Sequence, residues 1–128
     1  MKRDLQMKDV VILIHGYNTR DPQRTVGKLS EPFRRGGLEV HEFNYGFTSL
    51  FQVRIRNFAL AKKLGRVVKK YQGEGRRVVI VGHSNGCTII HLAHKLFRMR
   101  ADCVIAINPA LSRKTHPPLL RCAYLCIS

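Results

Sequence analysis

Acidic residues are scarce in this sequence. Its 128 residues hold eight Asp and Glu against 23 Lys and Arg, a formal net charge of +15. A field of that sign attracts polyanions such as nucleic acid, anionic lipid or acidic polymers. No recognised nucleic-acid-binding motif accompanies the charge, however, so sequence-specific nucleic-acid recognition is not expected. The basic residues are dispersed in small groups such as Arg54/Arg56, Lys62/Lys63/Arg66/Lys69/Lys70, Arg76/Arg77 and Lys95/Arg98/Arg100, most of them where helices would face water, and they read as a solvated surface. Cysteine is also sparse: Cys87, Cys103, Cys122 and Cys126 form no Cys-x-x-Cys pair, and three of them sit in apolar runs as small core residues would. That pattern offers no metal cage and no disulfide framework, and no cofactor or metal is expected. Apolar runs of membrane-spanning length are missing, and the first run, "VVILI", is too short for a secretory leader. A reducing, cytoplasmic setting is the expectation. Ten Gly and five Pro leave no collagen-like or disordered signature.

What is present is an alternation of strands and helices. At this length the chain fits a single domain, residues 1–128, with a loose polar start over residues 1–8. "DVVILIHGYN" reads as a strand buried on both faces, because its apolar run is continuous. "DPQRTVGKLSEPFRRGG" offers Asp21 as a helix cap and Pro22 at the first helical position, while Gly27 and Pro32 predict a short or broken helix. "LEVHEFNYG" alternates like a second strand. "SLFQVRIRNFALAKKLGRVVKKYQGEG" carries apolar residues at helical spacing, Phe58, Leu60, Ala61, Leu64 and Val68 among them, with a stop at Gly73 or Gly75. "RRVVIVGH" is a third strand, and residues 85–100 a helix with Ile89, Ile90, Ala93, Leu96 and Phe97 facing inward. "DCVIAINPAL" and "LLRCAYLCI" complete five strands. Such alternation demands a mostly parallel sheet with helices on both faces, a three-layer α/β sandwich. Active groups in these sheets gather at the carboxyl ends of the strands.

One motif lies at such an end. "VVIVGHSNGCTII" breaks from a strand into Gly-His-Ser-Asn-Gly and continues at once as a helix. A Gly-x-Ser-x-Gly turn in that context forces the serine, Ser84, into strained backbone and exposes its hydroxyl above the sheet. The backbone N–H of Asn85 then points where a tetrahedral oxyanion would form. The first strand ends in His15-Gly16-Tyr17, which makes the N–H of Tyr17 the candidate second donor. His15 is read as bracing this loop rather than as a base.

On "VILIHGYNT", "VVIVGHSNG" and "VIAINPAL", the chain resembles the α/β-hydrolase family of the lipase and esterase kind, over roughly residues 9–127. The resemblance implies sheet order 2-1-3-4-5, a minimal core of the family's larger sheet. It also implies Ser84 as nucleophile, with Tyr17 and Asn85 as the oxyanion hole. The family then supplies an acid and a histidine later in the chain. Here the only acid after Ser84 is Asp102, at the amino end of its strand, and the histidines are His91, His94 and His116. His91 and His94 read as a solvated helix face with Lys95. His116 lies in a loop on the serine's side and is the one candidate base, or else a surface histidine before two prolines. The expectation is a hydrolase core shortened at its C-terminus.

Two functions follow. The leading one is a serine hydrolase of carboxylic esters or related acyl groups, acting on a small-molecule substrate. The alternative is a non-catalytic protein that keeps the hydrolase core and holds an acidic partner on its basic surface. The terminal strand would present an open edge suited to pairing with a second copy.

Overall fold

The computed structural model describes residues 8–15, 26–43, 53–107 and 123–127. Five strands, β1 (Val10–Ile14), β2 (Glu39–Phe43), β3 (Val78–His83), β4 (Cys103–Ile107) and β5 (Ala123–Ile127), form one sheet. Their order is β2-β1-β3-β4-β5, and every pairing is parallel. A 3-10 turn (Val26–Leu29) runs into α1 (Ser30–Arg35), matching the short, interrupted helix expected around Gly27 and Pro32. The two long helices are α2 (Val53–Gly73) and α3 (Asn85–Phe97).

The layers follow from the alternation of side chains along each strand. Val10, Ile12 and Ile14 point to one face with Val78, Ile80 and Val104, where Ala61, Leu64 and Val68 of α2 and Ile89, Ile90 and Ala93 of α3 cover them. Val11, Leu13 and Val81 point to the other, under Leu29, Phe33, Leu38 and Val40. Because β1 is central and covered on both sides, none of its five residues is more than 2% exposed. Each such aliphatic side chain contributes about 1.5–3 kcal/mol on burial.

The end of α2 is set by chemistry that the sequence announced. Gly75 adopts φ +80, a conformation L side chains rarely take. Its N–H bonds to the carbonyl of Gln72, and the N–H of Arg76 reaches back to that of Tyr71. This doubled closure is a Schellman stop.

Arg76 departs from expectation. It was grouped with Arg77 as solvated, yet it is only 8% exposed. Its Nε donates to the carbonyl of Lys8, and its two terminal nitrogens reach Glu74 at 3.2 Å and Glu39 at 2.8 Å. Its guanidinium also lies over the Tyr71 ring at 5.0 Å. The arginine thus ties β1, β2 and the α2–β3 connection together at the amino ends of the strands. Phe58 and Leu96, expected to face inward, are 52% and 48% exposed. Helical spacing assigned them a face, but α2 and α3 pack on each other as well as on the sheet, and that rotates these flanks outward. Phe58 instead meets Phe97 edge-on, ring centres 5.2 Å apart.

Residues 1–7 of the polar start, and the Asp21 cap with Pro22, lie outside the described residues.

Two predictions follow from this packing. Replacing Arg76 with Met keeps the stem and removes three charge-assisted bonds, so it should lower stability by about 1–3 kcal/mol in urea titration. His41 and His91 both have pKa values pushed below the ordinary 6.5, each chiefly by burial and then by a neighbouring lysine, Lys63 for His41 and Lys95 for His91. The unfolded chain therefore binds these protons more readily than the folded one, and stability should fall as pH drops below about 6.5. Urea midpoints between pH 7.5 and 5.5 should show that slope, and a His41→Gln/His91→Gln protein should flatten it.

Candidate active site at the strand-to-helix turn

β3 ends at His83 and α3 begins at Asn85, so a single residue makes the turn. That residue is Ser84, with φ 52 and ψ −116. Among the described residues only Ser84 and Arg98 combine a side chain with positive φ. Such a conformation costs roughly 1–3 kcal/mol and persists only where its surroundings over-determine it.

Those surroundings are visible. The Ser84 N–H donates to the carbonyl of Ile107 at 3.0 Å, carrying the β3–β4 ladder one residue past the strand. Its carbonyl accepts from the N–H of Cys87, also at 3.0 Å, in the first turn of α3. The Cys87 thiol reaches back to the carbonyl of Gly82 at 3.3 Å. Both flanking glycines are required by close approach. A Cβ on Gly82 would lie 2.6 Å from Cδ1 of Ile90 and 3.2 Å from the backbone nitrogen of Cys87. A Cβ on Gly86 would lie 2.5 Å from the carbonyl oxygen of Ile14 and 3.1 Å from that of His15. The second contact brings the end of β1 against the turn, so His15, from the first of the two motifs picked out in the sequence, meets the Gly82 to Gly86 turn in space.

Asn85 opens α3, a helix of 13 residues, and the partial positive charge of that helix's amino end sits beside Ser84. Its side chain is only 5% exposed and forms a reciprocal pair with Asn57 of α2, itself 4% exposed. Asn57 Nδ2 donates to Asn85 Oδ1 at 2.8 Å, and Asn85 Nδ2 donates to Asn57 Oδ1 at 2.9 Å. Asn57 was missed in the sequence. Its signal was there, since positions 57, 61, 64 and 68 form the buried stripe of α2 and Asn57 is the polar member.

The remaining candidates divide. His15 is buried at the end of β1, at 1% exposed. Tyr17 and His116 lie outside the described residues. Asp102 stands at the amino end of β4, its carboxylate accepting from the N–H of Val78 at 2.7 Å. His94 does not belong to a solvated face. It is 6% exposed, with Nδ1 3.2 Å from the carbonyl of Met99 and 3.0 Å from the Arg100 guanidinium. The left-handed Arg98 ends α3 and folds the chain back over it. His83, inside the turn, has an Nδ1 that is buried and without a hydrogen-bond partner. Among the described residues no cluster of three or more His, Cys, Asp or Glu could hold a metal ion. Among the same residues no helix is long and apolar enough to cross a membrane.

No protein-family model matches the chain. A search of curated proteins likewise found no significant match. Solved structures do resemble it. A Xanthomonas campestris protein described as a hydrolase of the alpha/beta superfamily superimposes with a TM-score of 0.63 at 21% identity, over 91% of this chain and 66% of its own. Phospholipase PlaB from Legionella pneumophila gives 0.62 at 20% identity, over 79% of this chain and 25% of its own. A monoacylglycerol lipase from Paleococcus ferrophilus gives 0.56 at 22%, over 84% and 42%. The chain therefore spans from a quarter to about two thirds of the length of these proteins. With the parallel sheet in the order described, the likeness establishes the α/β-hydrolase fold.

The geometry at the two glycines can be tested directly. The obstacle at Gly86 is backbone, whereas the nearest one at Gly82 is the tip of a side chain that can turn away. Gly86→Ala should therefore destabilise by about 1–3 kcal/mol or more, and Gly82→Ala by less. Thermal melting of the two variants beside the parent measures the difference.

Proposed function

We propose that the chain is a serine hydrolase of carboxylic esters or related acyl groups, with Ser84 as nucleophile. One observation carries the reading: Ser84 holds a strained φ between two glycines that admit no side chain, where a buried strand becomes a helix. Strain of this kind, over-determined by its neighbours, marks functional positions. In the mechanism this supports, the Ser84 oxygen attacks the acyl carbonyl carbon while its proton passes to a base. The carbonyl electrons move onto oxygen, where the N–H groups of Asn85 and Tyr17 receive the charge. Collapse of this intermediate expels the alcohol, which takes up the proton, and water then releases the acid from Ser84. The names of two similar structures, a phospholipase and a monoacylglycerol lipase, agree with an ester substrate.

The base is the open element of the proposal. Asp102 is engaged at the opposite end of the sheet, and His94 is buried under the turn that follows α3. His116, the one candidate that the sequence offers, lies outside the described residues and is not assigned the role. A small p-nitrophenyl ester tests the assignment. Ser84→Ala should abolish turnover and labelling by a fluorophosphonate, whereas His116→Ala should change turnover little. A loss of about a hundredfold or more in the His116 variant would instead identify it as the general base.

A second reading rests on α2, which carries seven basic residues and no acid. Lys62, Arg66 and Lys69 line a groove of about 190 Å³ whose floor is Gly65 and whose wall is Phe97. Exposed Ile55 and Phe58 continue the same stripe. On this reading the face holds an acidic partner. Heparin retention should then fall steeply with added salt, and charge reversal at Lys62, Arg66 and Lys69 should remove it. Retention unaffected by those changes would end this reading.

A further inference from the structure

We infer that Asn57 is a positioning residue for the oxyanion donor at Asn85, a role that rests on Ser84 being the nucleophile. Three observations converge on it. An amide lies where the buried stripe of α2 otherwise carries Ala61, Leu64 and Val68, and burying an amide is favourable only when its bonds are complete. Here they are reciprocal, two hydrogen bonds of 2.8 and 2.9 Å between Asn57 and Asn85. A leucine at 57 would fit the stripe but strip both of these bonds from the buried amide of Asn85, so it is Asn85, and not the apolar stripe, that accounts for the asparagine.

The second observation is the way α3 starts. Ser84 occupies the cap position, yet its side chain makes no capping hydrogen bond. The first turn is therefore held from elsewhere. The Cys87 N–H to Ser84 carbonyl bond holds the backbone on one side, and the pair with Asn57 holds the side chain of Asn85 on the other.

The third is which residue is being held. Asn85 follows the nucleophile, and its own N–H is the donor proposed for the oxyanion. Its Cα is fixed from the chain side by Ser84 and from the side-chain side by α2, a helix 21 residues long and packed along α3. Anchoring both sides of one residue fixes the direction of the N–H between them. Donors aimed in advance at a developing charge are worth far more than donors that must reorient.

The test uses labelling of Ser84 by a fluorophosphonate, followed by mass mapping, which reads the attack step without a second product. Two variants are compared with the parent from pH 8 to pH 5.5, with circular dichroism and urea midpoints recorded for each. Asn57→Ser removes the reciprocal pair. It should label roughly tenfold more slowly at every pH while remaining folded, short of the hundredfold or more that losing a donor outright costs. Asn57→Asp carries the sharper signature. As a carboxylate it cannot donate to Asn85 Oδ1; as a neutral acid it both donates and accepts, as the amide does. Its rate relative to the parent should therefore be as low as that of the Ser variant at pH 8 and climb towards one as pH falls. A purely structural asparagine predicts lower urea midpoints with labelling rates of the folded variants within twofold of the parent at all pH values, and that result overturns the role. If Asn57→Asp does not fold at pH 8, the Asn57→Ser rate decides alone. Should the folded parent itself not label at Ser84, the nucleophile reading fails and this one falls with it.

Discussion

The whole arrangement depends on changing a strand into a helix within one residue. β3 is buried and parallel to both neighbours, so it cannot bend away before its carboxyl end, and α3 must start at once to cover the sheet. Ser84 absorbs the entire change of direction, which is why its φ is positive although it carries a side chain. The cost is met by bonds on both sides, to Ile107 of β4 and to Cys87 of α3. Everything that touches the turn is then constrained in size. Gly82 must leave room for Ile90, and Gly86 for the carbonyls of Ile14 and His15. The sheet order is part of the same constraint, because β1 and β4 flank β3 and each supplies a wall of the turn.

Much of this was legible in the residues. Continuous β-branched runs ending in glycine mark central parallel strands, since no solvent-facing side imposes alternation. The glycines around Ser84 and the stop at Gly75 are places where backbone geometry leaves few residue types, so the sequence announces them. The faces of the helices were less legible. Phe58 and Leu96 satisfy the helical period, but which flank of α2 or α3 is covered depends on the neighbouring helix, a contact between residues far apart in sequence. His94 and Arg76 fail for a related reason. Both look solvated by type, and both are buried by chain that returns from elsewhere: the turn through Arg98 to Arg100 in one case, the carbonyl of Lys8 and the carboxylate of Glu39 in the other. Asn57 was hidden because its partner, Asn85, is 28 residues away. A polar residue on an apolar stripe signals that a partner exists without naming it.

The few carboxylates are unevenly placed, and this bears on the chemistry. Asp9 pairs with Arg77, Glu39 and Glu74 with Arg76, and Asp102 with the N–H of Val78. All four stand at or near the amino ends of the strands. Glu42, nearer the carboxyl end of β2, accepts from Ser30 on the face away from α2 and α3. The described polar side chains around the turn are those of Ser84, Asn57, Asn85, Cys87, His15 and His83, with no carboxylate among them. The amino end of α3 adds partial positive charge, and the cations of α2 add to the positive field of the molecule.

That distribution suits one half of acyl transfer better than the other. A developing oxyanion is stabilised by fixed N–H dipoles in a setting without nearby negative charge, and on the proposed reading the turn at Ser84 and Asn85 would offer that setting. Deprotonation of a serine calls for a base held in its working tautomer by a carboxylate, and four of the described carboxylates are committed at the opposite end of the sheet while Glu42 accepts from Ser30. The two halves are thus physically separable in this chain. On the proposed reading, oxyanion stabilisation rests on the β3–α3 turn and its anchor on α2, elements fixed by the sheet itself. Proton transfer on the same reading calls for a base and an orienting acid, and no described residue is assigned to either. A nucleophile turn set by the core, with a base supplied separately, is the division of labour that this reading implies.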